Sequence, residues 1–223
     1  MPRIAFRIAR RISLRPTLAA LLCGLALATP VAAQPLEVPG YWRVTGVAAD
    51  DALNVRAGPG TAHEVIGALP PDTTGVEVDL TQGGWARIVW FENNGWVSTR
   101  YLAPDPQPTV ADTPLPVGLR CGGVEPFWSL NLDAEAARFD DIAGAEFAAP
   151  LRRAEAAEGY FTPILLTHAA EGAEMLTVIA PAACSDSMAD RVMPWRAELL
   201  LQEATGRRFL TGCCWLPLAL PGE

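Results

Sequence analysis

The chain has 223 residues with 17 basic and 25 acidic side chains, and every basic one is an arginine. All the acids lie beyond residue 33, with 12 of the arginines, so residues 34–223 carry a formal charge of 12 − 25 = −13. A surface that acidic repels phosphate backbones and anionic head groups, which excludes nucleic acid and holds no anionic lipid surface.

The first 33 residues read as an export signal. Arg3, Arg7, Arg10, Arg11 and Arg15 form a basic start, Leu18 to Val31 is apolar, and Val31-Ala32-Ala33 supplies the small residues of a cleavage site. Gly24 and Pro30 interrupt the apolar run, and a membrane span needs about 20 residues. No stable span is expected after cleavage; an uncleaved anchor is the alternative. Leu22 before Cys23 is too bulky for a lipoprotein signal. The location implied is the periplasm or the exterior.

Residues 40–103 have the pattern of a small barrel. Tyr41 to Val47 has strand composition, Val76 to Leu80 alternates, and Trp85 to Phe91 is β-branched and aromatic. Gly83-Gly84 and Pro70-Pro71-Asp72 mark turns. Asn94-Gly95 predicts a hairpin turn before a returning strand at Trp96 to Ser98. In LNVRAGPG, Leu53 and Val55, with Val65 and Ile66 beyond, are expected in the core. Asn54 is expected to fix the turn. Gly58 and Gly60 are expected to supply unusual backbone angles around the rigid Pro59.

Residues 104–118 read PDPQPTVADTPLPVG, five prolines in fifteen residues, and predict a stiff connector. Beyond it, residues 119–221 predict a second β-rich domain. Its strands are expected at Phe127 to Leu132, Tyr160 to Thr167, Met175 to Ala180, Trp195 to Leu201 and Arg208 to Trp215. Leu151 to Glu158 has helical propensity but lies between turn signals, which favours β. The fold class expected is all-β: a small barrel followed by a second, disulfide-containing β domain.

Four cysteines follow the signal: Cys121, Cys184, Cys213 and Cys214. An even number in an exported chain points to disulfides, and four allow three pairings. A bridge between neighbours 213 and 214 would strain its ring, so Cys121 and Cys184 are each expected to meet one of that pair. Zinc would want C-x-x-C or histidine partners, and only His63 and His168 are present. Neither a metal nor a cofactor is expected.

Catalysis has little to stand on. Cys184 or Cys214 with His168 is the one cysteine–histidine dyad available, and oxidised sulfur would remove it. Glu125, Asp186 and Asp190 are the acids from which a glycosidase pair would be drawn, but Asp also favours turns, and capping is the plainer role for Asp186 and Asp190. Arg56 and Arg87 could meet a carboxylate by bidentate pairing, although surface arginines more often pair with nearby acids. Trp85, Trp96 and Trp128 are candidate aromatic walls, though large aromatics more often build cores.

The runs LNVRAGPG, VIGALPPDTTGVEV, GGWARI and NGWVSTRYL together resemble the bacterial SH3-like domain over about 60 residues. That resemblance implies a small β-barrel of exported proteins that binds or targets, often through cell-wall peptides. Trp85 and Trp96 stand at its two Gly-Trp positions. Likewise CGGVEPFWSL, CSDSMADRVMPW and LTGCC resemble a family of small exported bacterial proteins of unassigned activity, in which EPFW, C-x-D-x-M-x-D and terminal G-C segments recur. Ala189 departs mildly from it.

The sequence therefore predicts a non-catalytic binding protein of the cell envelope. Its expected partner is peptidoglycan or an envelope protein. The ligand candidates are Arg56, Arg87, Trp85 and Trp96, with Glu125, Trp128, Asp186 and Asp190 in the second domain. The alternatives are an inhibitor or partner of a cell-wall lytic enzyme, and a hydrolase with its site in the second domain.

Overall fold

Alternation of apolar and polar residues runs through most of the chain, and strands follow it. The computed structural model describes residues 34–220; the export signal predicted at 1–33 lies outside them. The first seven strands are β1 (Gln34–Val44), β2 (Leu53–Arg56), β3 (Val65–Leu69), β4 (Val76–Gln82), β5 (Trp85–Trp90), β6 (Asn93–Ser98) and β7 (Leu102–Pro104). They form one sheet in the order β3-β2-β6-β5-β4-β1-β7. Val55, Leu69, Val76, Ala86 and Val97 are fully buried at its centre.

The remaining strands are β8 (Arg120–Val124), β9 (Phe127–Leu132), β10 (Ala136–Asp141), β11 (Glu146–Ala156), β12 (Ile164–Ala170), β13 (Ala173–Cys184), β14 (Met193–Glu203) and β15 (Gly206–Trp215). They close into an eight-stranded barrel in the order β10-β11-β12-β13-β14-β15-β8-β9. Closure leaves no unpaired edge there. The alanine-rich stretch from Leu151 is part of β11. β8 and β10 were not expected from the sequence: β8 is glycine-rich, and β10 is short and charged.

Two disulfides staple this barrel, Cys121–Cys214 and Cys184–Cys213. Trp128 explains the glycines around them. A Cβ at Gly123 would lie 2.3 Å from the Trp128 Nε1, and one at Gly212 would lie 2.7 Å from its Cζ2 and 2.2 Å from the Gly122 carbonyl oxygen. The glycines of CGG and GCC thus leave room for the indole of EPFW between strands β8 and β15.

Several local expectations are corrected. Val65 and Ile66 are not core: they are 45% and 36% exposed, because β3 is an edge strand. Asn94 and Gly95 do not turn the chain. Trp90 pairs with Asn93, so the turn is Phe91-Glu92, with Phe91 at φ 50°. Gly95 lies within β6 because Val55 packs where its Cβ would stand, 2.3 Å away. The Gly83-Gly84 turn is present, both residues at positive φ (56° and 83°), as a tight hairpin needs. Gly58 faces the exposed His63 ring, with Cε1 and Nδ1 2.6 Å from the position of a Cβ, and its φ is not in the left-handed region. The loop is pinned by Arg56 and not by Asn54: the Arg56 Nη1 donates to the carbonyls of Thr61 (3.1 Å) and His63 (2.8 Å).

The proline-rich stretch 104–118 does not hang free. Val110 and Leu115 are fully buried in the larger barrel's core, because burying two large apolar side chains outweighs leaving the stretch solvated. Both sheets belong to one compact unit.

Candidate functional site

Three places gather the side chains singled out in the sequence. The first is a cleft of about 510 Å³ in the smaller sheet. Arg56 at the end of β2 and Trp85 at the start of β5 both line it, with Asn54 and Asp51. Arg100 and Tyr101, which follow β6, complete it, and the Arg100 guanidinium lies 5.0 Å from the centre of the Tyr101 ring. Arg56 keeps its guanidinium fixed through the two loop carbonyls. Arg100 makes no ion pair among the described residues and is exposed. The cleft therefore offers one preset cation, one free cation and two aromatic faces. Sequence reasoning missed Arg100 and Tyr101, although both stand in the NGWVSTRYL run.

Arg87 lies elsewhere. Its Nε and Nη2 donate to both oxygens of Asp79, at 3.1 and 2.5 Å. A guanidinium so engaged has little left for a ligand.

The second place lies in the barrel, where its three sequence motifs converge. Trp128 and Asp186 line a hollow of about 560 Å³ with Arg120, Arg191 and Trp215. Glu125 and Asp186 line an adjoining one of about 210 Å³ beside the Cys184–Cys213 bridge. Asp186 accepts the backbone N–H groups of Met188 (3.1 Å) and Ala189 (3.3 Å), which closes its own loop. Arg191 binds Asp186 at 3.5 Å and stacks over Trp215 at 4.8 Å.

The third place is the junction between the sheets. Trp96 and Asp190, which come from different halves of the chain, line one groove of about 510 Å³ with Ile66, Trp90 and Phe91. Asn94 acts as a clamp here: its amide donates to the Val192 carbonyl (2.9 Å) and accepts the Val192 N–H (2.7 Å). The Arg191 Nη1 donates to the Phe91 carbonyl at 3.0 Å. Glu77 is a buried carboxyl here. It accepts from Tyr41 Oη (3.0 Å), Trp195 Nε1 (2.9 Å) and the Leu216 N–H (2.8 Å). Burial pushes its carboxyl up to about 7, against those three hydrogen bonds. In the sequence Glu77 is one polar residue in an alternating strand. Nothing local says that a second sheet covers it.

The reactive candidates are engaged. All four cysteines beyond residue 33 are in disulfides, so none of them supplies a thiolate to His168. His168 points into the barrel, fully buried, and neither ring nitrogen has a partner. Among the described residues no group of three or more His, Cys, Asp or Glu side chains is placed to hold a metal ion. Among the same residues no helix is long and apolar enough to cross a membrane.

The smaller sheet thus combines open edges with a cleft of arginine and aromatic side chains. Residues 51–103, which carry most of that cleft, match the family model described as the bacterial SH3 domain. The chain is also 34% identical over 68 residues to a Bacillus subtilis (strain 168) protein named "Putative N-acetylmuramoyl-L-alanine amidase YrvJ". That match covers 30% of this chain and 13% of the relative, so the chain spans a small part of the relative's length. No solved structure matches the chain.

Proposed function

We propose that this is an exported cell-envelope binding protein. Its SH3 domain recognises peptidoglycan peptide, or another envelope partner, in the cleft of Arg56, Trp85, Arg100 and Tyr101, and it performs no bond-making chemistry. The cleft itself carries the reading. Two cations and two aromatic rings meet in a matched SH3 domain, on a chain whose acidity otherwise repels anions. Wall peptides present carboxylates, which arginine binds by charge-assisted hydrogen bonds. Export is supported by two disulfides, which persist outside the reducing cytoplasm. The absence of catalysis is supported by the oxidised cysteines and the sealed His168.

The experiment is sedimentation of the whole chain with purified peptidoglycan. The wild type is expected in the pellet, and Arg100→Ala and Trp85→Ala in the supernatant. Unchanged sedimentation of both variants would overturn the cleft assignment. Release of soluble wall fragments by the chain alone would overturn the non-catalytic reading and favour a hydrolase.

A further inference from the structure

The groove at the junction is a different surface from the cleft. It exists only because the two sheets are locked together: Ile66, Trp90, Phe91 and Trp96 come from the smaller sheet, and Asp190 from the barrel's Cys184–Met193 loop. Nine large hydrophobic side chains are exposed among the described residues, and two of them meet in this groove: Ile66 at 36% and Phe91 at 56%. Such clustering marks an interaction surface more than scattered single residues do. The groove also borders β3, an edge strand that among the described residues pairs only with β2. An edge with unpaired backbone groups accepts an extended segment.

Charge selects the occupant. Asp190 lines the groove, and Glu64 stands exposed next to Val65 in the chain. The cation beside the groove, Arg191, is engaged by Asp186 at 3.5 Å, Glu92 at 3.9 Å and the Phe91 carbonyl, and Arg56 stands in the separate cleft. A second copy, whose residues 34–223 also carry a formal −13, would be repelled from this rim.

We infer that this groove docks an extended segment of a cationic partner protein, its apolar side chains against Ile66, Phe91 and Trp96 and its basic side chains against Asp190 and Glu64. The segment runs alongside β3. The inference does not depend on wall binding in the cleft.

The test titrates the whole chain with a capped heptapeptide of alternating lysine and leucine, following backbone amide NMR signals. The same peptide with glutamate for lysine is the control. The basic peptide is expected to shift the amides of Val65 to Leu69, and the acidic one to shift none. Asp190→Arg and Trp96→Ala are each expected to weaken binding about tenfold, and Asp190→Asn, a milder change to the fold, severalfold. Glu155→Arg on β11, remote from the groove, is expected to leave it within about twofold. Equal weakening by Glu155→Arg would reduce the effect to general charge attraction and overturn the inference. So would equal binding of the acidic peptide, or dimerisation of the free chain abolished by Trp96→Ala.

Discussion

The indole N–H of Trp195 donates to the Glu77 carboxylate at 2.9 Å, and the pair joins strands 118 residues apart. Trp195 is packed in the barrel's core, and Glu77 lies on the smaller sheet. The two halves therefore share a buried polar contact, and a change in one residue is felt by both.

That contact makes stability depend on pH. The Glu77 carboxyl rises from 4.5 to about 7 on folding. Between those values the folded chain holds a proton that the unfolded chain releases, so this contribution falls as pH rises and is flat above about 7. Its size is on the order of 3 kcal/mol. Glu77→Gln is expected to remove this falling contribution, so that urea unfolding from pH 4.5 to 7.5 reads a stability that rises with pH up to about 6.5.

His168 acts in the opposite sense. Burial pushes its imidazole from 6.5 down to about 4, so the unfolded chain binds the extra proton. Its contribution is complete above about 6.5 and is lost as pH falls towards 4, again by on the order of 3 kcal/mol. The wild-type profile is expected to be shallow between 4.5 and 6.5, where the two slopes oppose. His168→Leu unmasks the Glu77 slope there. It is also expected to raise stability at pH 5, since two unpaired buried nitrogens are replaced by hydrocarbon.

The two disulfides are unequal. Cys121–Cys214 closes a separation of 93 residues and Cys184–Cys213 one of 29. Loop-closure entropy gives about 4.6 and 3.6 kcal/mol respectively. Replacing each pair by alanine is expected to lower the thermal midpoint more for the first, as read by calorimetry.

Gly212→Ala is expected to cost at least about 2 kcal/mol, because its Cβ meets the backbone oxygen of Gly122 at 2.2 Å and the Trp128 ring at 2.7 Å. Gly144→Ala has open space around it and costs only its positive φ of 83°, about 1 kcal/mol. Chemical unfolding of both variants checks the order.

Much of the fold was legible because it is a local matter. The alternation in Val76 to Leu80 and in Phe127 to Leu132 needs only a pleated strand with one wet face. Gly83-Gly84 carries its turn wherever it stands. Asn94-Gly95 misled because its turn chemistry was overridden: Val55 packs on one residue and Val192 clamps the other, and both partners are distant in sequence. Val65 and Ile66 misled because composition does not tell an edge strand from a central one.

The same division runs through the sites. The sequence by itself determined an all-β chain, a segment that matches the bacterial SH3 domain at residues 51–103, and the presence of Arg56 and Trp85, two side chains that line the cleft, since strand period, turn glycines and side-chain chemistry are properties of short segments. Only the tertiary structure decided that Arg87 is spent on Asp79, that Trp96 and Asp190 share one groove, and that Glu77 is buried. The reason is physical: burial and charge pairing depend on what a second sheet brings across space, and no local stretch of chain encodes that distance.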